Sequence, residues 1–216
     1  MNADGHGKIM DVIRLEARKR GINVVSASKE DLARLHDSAS HQGVILRVKS
    51  SDEALDEKML IHRTVEKKGI IVLLDQLTDP HNIGAIIRTA EALGAQGIVK
   101  PRAHAPVASD TIAKTSAGAT AHIPMVMVAN AARFLEDAKD AGLWVVGSDE
   151  TGTTGMSELS SIKPALLVIG NEGTGMRRLT GEKCDYIVRI PLKGKVSSLN
   201  ASVAAGILIY EMLKEK

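Results

Sequence analysis

Three stretches of this 216-residue chain hold side chains whose types and spacing could do chemistry. The first is DQLTDPHNIGAIIRTAEALG, residues 75–94. Asp75 closes an apolar run, Asp79-Pro80 is turn chemistry, and Asn82 stands where a helix N-cap belongs. Arg88 follows roughly one and two-thirds turns later on the same helix. A cap and a surface arginine would account for both residues. Their position offers a second reading, because open α/β sheets bind ligands at the carboxyl ends of their strands.

The second stretch is LVIGNEGTGMRRLT, residues 167–180. An apolar strand breaks into a loop with Gly170, Gly173 and Gly175, which permit positive φ and close approach of a ligand to backbone amides. GNEGTG does not fit the dinucleotide pattern G-x-G-x-x-G, and Glu172 would repel a pyrophosphate. A neutral or cationic ligand suits the loop better, and a plain glycine-rich connector is the competing reading. The third stretch is IPLKGKVSSLNASVAAGILIYEML, residues 190–213. Ser197, Ser198 and Asn200 gather at the entry to an Ala-rich helix, which Ser198 or Asn200 could simply cap. Val196 follows Lys193-Gly194-Lys195 where a triphosphate-binding loop needs Ser or Thr, so that reading fails. The helix is apolar over a wide arc, and its small residues suit either a core or a helix-packed dimer interface.

Other chemistries find no support. The seven histidines show no H-E-x-x-H or comparable spacing, so no metal is expected. His81 reads as an exposed loop histidine rather than a general base. No G-x-S-x-G elbow is present. The single cysteine, Cys184, excludes an internal disulfide and a cysteine-cluster metal site, and reads as incidental.

The elements that must position these stretches follow from hydrophobic periodicity. From Gly69 onward, apolar runs at 70–75, 97–100, 124–128, 143–147, 166–170 and 186–191 read as strands. Helical patterns at 82–93, 109–117, 130–141 and 199–213 lie between or after them. Such alternation predicts an α/β domain whose parallel sheet is covered on both faces. Ahead of it, residues 8–21 read as a helix with an apolar side of Ile9, Val12, Ile13 and Leu15. A strand at 22–25, a helix at 29–36 and a strand at 41–48 would complete a small α/β unit over 1–50. Residues 51–68, charged and irregular, read as a linker, partly helical, to a domain over 69–216.

Hydrophobic residues make up 44% of the chain and charged ones 25%, enough apolar material for a sizeable core. Aromatics are only 2%, so the core must be aliphatic, and RNA would have to be held through phosphates and polar groups rather than by stacking. A net charge of +2 permits a phosphate-bearing substrate without demanding one. No apolar run approaches a membrane span, and the N-terminus has no signal-peptide core, so a cytoplasmic address is expected.

Taken in order, DPHNIGAIIRTAEALG, ALLVIGNEGTGMRRLT and IPLKGKVSSLNASVAAGILIYE resemble the three motifs of the SpoU/TrmH branch of the SPOUT methyltransferases, over residues 69–216. Within that branch the chain is most similar to bacterial enzymes that methylate a guanosine ribose in 23S ribosomal RNA. SHQGVILRV, residues 40–48, resembles the end of their N-terminal RNA-binding domain. Such domains begin with a strand, a helix and a second strand, where this chain has only MNADGHG, so the resemblance implies a unit shortened at its front.

The resemblance implies a parallel sheet with a C-terminal trefoil knot, although chains rarely thread loops. It implies S-adenosylmethionine as methyl donor, touched by Gly170, Ile190 and Leu199 largely through backbone atoms. It implies transfer to a ribose 2′-hydroxyl of RNA, with Arg88 central and Asn82, Glu172, Ser198 and Asn200 around it. Arg88 serves either as proton acceptor or, more easily for a guanidinium, as a phosphate and alkoxide stabiliser. It reaches the cofactor of a partner subunit, so a homodimer is implied. Transfer RNA as substrate, or a non-catalytic RNA-binding protein on the same fold, are the alternatives. A dinucleotide-dependent oxidoreductase would lack both its glycine fingerprint and its acidic ribose ligand.

Overall fold

Ile70–Leu74 form strand β1, and all five side chains are buried. Ile70, Val72 and Leu74 join one apolar cluster, while Ile71 and Leu73 join another on the opposite side. The period of two thus divides one continuous apolar run between two helical layers. Each such burial contributes about 1.5–3 kcal/mol. The other strands are β2 (Gly97–Pro101), β3 (Met125–Val128), β4 (Trp144–Ser148), β5 (Ala165–Ile169) and β6 (Tyr186–Val188). All pair in parallel, in the order β3-β2-β1-β5-β4-β6. The α/β parallel sheet expected from the sequence is the observed fold.

This computed structural model of the chain describes residues 1–2, 7–35, 41–47, 55–102 and 110–214. The chain divides into two compact units, Met1–Asp52 and Glu53–Lys216. In the smaller, α1 (Lys8–Lys19) and α2 (Lys29–Leu35) are the only regular elements among the described residues. The apolar side read into the first helix is mostly exposed, with Ile9 at 68%, Val12 at 53% and Leu15 at 53%. Among the described residues only Met10 and Leu32 are buried there. Residues 22–25 and 41–47 are not strands; an isolated bridge joins Asn2 to Ala27. Among the described residues their alternation finds no partner ladder to satisfy its backbone groups, which is what a strand requires. Position 48, His36 and the catalogue of front residues 3–6 fall outside the described residues.

In the larger unit, the stretch read as a linker holds helix α3 (Glu57–Glu66). Asp56 caps it, accepting from the Met59 amide at 2.7 Å, and Leu60 and Ile61 are buried in the cluster that contains Ile71 and Leu73. Two adjacent apolar residues in a charged segment suffice to dock one short helix face. With α3, α6 (Ala131–Asp140) covers that side of the sheet, and α7 (Arg178–Glu182) contacts α6. On the other side lie α4 (Pro80–Ala92), α5 (Asp110–Thr115) and α8 (Ala201–Leu213). A 3-10 helix at Met156–Ser161, absent from the sequence reading, packs against α8. No helix of the described residues is long and apolar enough to cross a membrane.

Candidate active site

The strand order reverses direction between β1 and β5, so their carboxyl ends, Asp75 and Gly170, meet where this sheet type binds ligands. Loops after β4, β5 and β6 surround a cleft of about 1080 Å³. Its lining includes Asp149, Gly170, Glu172, Ile190, Ser198 and Leu199. The volume is ample for a small-molecule cofactor.

The loop after β5 folds back on itself. Asn171 and Gly175 exchange two backbone hydrogen bonds, each 2.9 Å. Gly175 turns the chain at φ +66°, and a Cβ on Gly170 would lie 2.5 Å from the Gly175 carbonyl carbon and the Met176 nitrogen. Only glycine fits at 170 with the loop this tightly closed. The end of β1 ties the loop down at both sides. Asp75, fully buried, accepts from the Arg177 amide at 3.0 Å, with the Arg177 Nε at 3.6 Å from its other oxygen. At the loop's start, Asn171 Nδ2 donates to the Gln76 carbonyl at 3.3 Å.

Residues far apart in sequence meet at Glu172. Its Oε1 accepts from Asn82 Nδ2 at 2.8 Å, from the Ala201 amide at 3.0 Å and from Asn200 Nδ2. Asn200 Nδ2 also donates to Asn82 Oδ1 at 3.0 Å. Meanwhile Asn200 Oδ1 accepts from the amides of Ser202 at 3.0 Å and Val203 at 3.3 Å, so Asn200 caps α8. One asparagine therefore serves as both cap and bridge. A carboxylate at the start of α8 also complements that helix's dipole.

Asn82 is not an N-cap, contrary to the sequence reading. Asp79 caps α4, accepting from the His81 amide at 3.0 Å, and Pro80 takes the first helical turn. Proline suits that position because its missing N–H is one the helix start cannot use. Asn82 is thereby inside the helix, buried, and free to point its amide at Glu172.

Ser198, Leu199, Ile190 and Gly170 line the cleft. Arg88 does not; it is exposed and makes no ion pair among the described residues. At roughly 100° per residue, six positions leave Arg88 about 120° around α4 from Asn82. His81 is exposed. Cys184 is half-buried near Met176 and donates to the Thr180 carbonyl at 3.4 Å.

The sequence reading missed Asp149, Thr151 and Arg189, which also line the cleft. Asp149 Oδ1 accepts from the Thr151 hydroxyl at 2.6 Å and its amide at 2.9 Å, and these bonds hold the carboxyl below the usual carboxylate range. Its place directly after the apolar run 144–148 was the available signal, since strand carboxyl ends carry ligand sites. With Glu150 and Glu172, Asp149 adds acidic character to the lining of the cleft, which fits a sulfonium cation. No cluster of potential metal ligands occurs among the described residues.

A parallel α/β sheet with a glycine-closed ligand cleft at its switch point is the architecture of SpoU methyltransferases, to whose solved structures the chain is similar. The chain belongs to the SpoU rRNA methylase family, whose model matches residues 69–210. Residues 4–54 match the substrate-binding model of RNA 2′-O ribose methyltransferases. The chain is 43% identical over 214 residues to a Bacillus subtilis protein, YacO, described as a TrmH family tRNA/rRNA methyltransferase. That match covers 97% of this chain and 84% of the relative. An AdoMet-bound rRNA methyltransferase from Sinorhizobium meliloti superposes with a TM-score of 0.75 at 25% identity, covering 94% of this chain and 76% of that one. The TrmH/SpoU tRNA modifying enzyme of A. aeolicus superposes with a TM-score of 0.61 at 29% identity, covering 73% and 80%. The protein is an S-adenosylmethionine-dependent RNA methyltransferase.

Proposed function

We propose that the protein methylates a ribose 2′-hydroxyl, at a guanosine of 23S ribosomal RNA. The observation that carries this reading is the Asn82–Glu172–Asn200 network, which joins all three sequence motifs at the edge of the cleft. Similarity reaching across both units to an rRNA enzyme, at 94% of the chain against 73% for the tRNA enzyme, favours ribosomal RNA.

When bound, S-adenosylmethionine supplies an electrophilic methyl group on a sulfonium. Gly170, Ile190 and Leu199, which line the cleft, would hold it through backbone atoms, and the Asp149 carboxylate would favour its positive charge. Asn82, Ser198 and Asn200 orient the ribose, and Glu172 fixes both asparagines. Alignment of the hydroxyl oxygen supplies several of the ~7–11 kcal/mol that orientation can give. A guanidinium with a pKa above about 12 is a poor base, so Arg88 binds the adjacent phosphate and stabilises the developing alkoxide. Because Arg88 lies outside its own chain's cleft, it acts at the cleft of a second subunit, and the working form is a homodimer. The C-terminal part of the larger unit ties the trefoil knot of the family, and residues 1–50 dock the RNA.

The test is incubation with labelled S-adenosylmethionine and separate rRNA and tRNA pools, followed by nucleoside mass spectrometry. 2′-O-methylguanosine in the 23S fraction is expected. Label confined to tRNA, or to a base, would overturn the assignment.

A further inference from the structure

From Tyr186 to Tyr210 the chain contains no aspartate or glutamate, yet Arg189, Lys193 and Lys195 fall within seven residues of one another. All three are exposed, and none has an ion-pair partner among the described residues. Leu192 and Ser197 line the cleft on either side of the two lysines, so the lysines stand at its rim. The same cleft is also lined by Asp149, Glu150 and Glu172. It therefore carries charge of both signs. A cation is favoured near the carboxylates, and an anion relieves the mutual repulsion of the unpaired cations.

The loop holds no acid of its own, and no carboxylate among the described residues pairs with these cations, so they are available to an anion from outside the chain. No aromatic side chain lines the cleft among the described residues, so an RNA strand finds no stacking platform there. Its hold must come through the backbone. Exposed lysines at a rim suit phosphates, which present charge outward and require no deep pocket.

We propose that Lys193 and Lys195 grip the phosphates of the RNA strand beside the target ribose. This rests on the reading of the cleft as the site of RNA methylation. In the full-length protein, Lys193→Gln/Lys195→Gln is compared with wild type for binding a labelled mixed-sequence single-stranded RNA over a range of salt. Loss of two phosphate contacts weakens binding on the order of tenfold near 0.1 M salt and makes the log–log salt slope shallower by about 1.4. Lys193→Arg/Lys195→Arg retains wild-type affinity, because charge rather than shape makes the contact. S-adenosylmethionine affinity by calorimetry stays unchanged in both variants. Unchanged RNA affinity and slope would overturn the proposal. So would weakened cofactor binding, which would assign the lysines to the cofactor's carboxylate. If wild type binds RNA with the expected salt dependence but transfers no methyl group to rRNA or tRNA pools, the functional reading fails while the grip stands. If wild type methylates RNA and the glutamine variant binds and methylates equally well, the grip alone fails.

Discussion

Asp75 shows how much one side chain can control here. It is buried at the end of β1 and holds the Arg177 amide, so it fixes where the loop after β5 rejoins the fold. Asp75→Asn keeps the shape but loses the charge that faces Arg177. It should cost about 1–3 kcal/mol in a denaturant melt, as expected for a buried hydrogen bond to a charged group. Cofactor affinity by calorimetry should fall with it. Cys184 is the contrasting case. Burial and then the Asp185 carboxylate push its thiol from 9.0 to about 12. Thiolate is the reactive form, so iodoacetamide at mild alkaline pH should label native Cys184 about a thousandfold more slowly than the unfolded chain. Because the unfolded thiol ionises first, this group's stabilising contribution is present below pH 9.0 and is lost as pH rises to about 12. Equal labelling of native and unfolded protein would contradict the burial.

At the scale of elements, the loop after β5 makes the sharpest forecast. Gly170 has no room for a methyl group, whereas a Cβ on Gly173 would meet only Asn171 Oδ1 at 3.6 Å. Gly170→Ala should push the Asn171–Gly175 pair apart and abolish measurable cofactor binding in a calorimetric titration. Gly173→Ala, three residues away, should bind nearly as wild type. If both bind normally, the closed loop does not form the cofactor site. The same loop explains why Glu172 tolerates its position: three donors from α4 and α8 converge on one of its oxygens. α4 and α8 pack on the same face of the sheet, and the carboxylate links them across it.

At the scale of the molecule, the location of Arg88 outside the cleft that its own chain builds is the decisive feature. Arg88→Ala should abolish turnover while leaving cofactor affinity nearly intact. Mixing Arg88→Ala with Gly170→Ala chains should restore part of the activity, because a mixed dimer can pair an intact cleft with an intact arginine. Absence of any rescue, together with a monomeric sedimentation coefficient for active wild type, would place Arg88 in its own subunit's chemistry. The smaller unit bears on the same question of substrate. Its α1 leaves Ile9, Val12 and Leu15 exposed, and few of its described side chains are buried.

What the sequence determined by itself was everything local. Apolar runs such as 70–74 dictated buried parallel strands, and glycines at 170 and 175 announced a tight turn at a strand end. Helix α3 was legible only as a partly helical linker, because two buried apolar residues, Leu60 and Ile61, give too short a period to stand out among charges. The strands read at 22–25 and, within the described residues, at 41–47 did not form, since alternation without a partner among the described residues makes no ladder. Only the tertiary structure decided that Asn82 bridges rather than caps, and that Glu172 and Asn200 join it from 90 and 118 positions away. It also brought Asp149 and Arg189 into the cleft. Spacing along a chain fixes which face of an element a residue occupies; only the packing of elements fixes what that face meets.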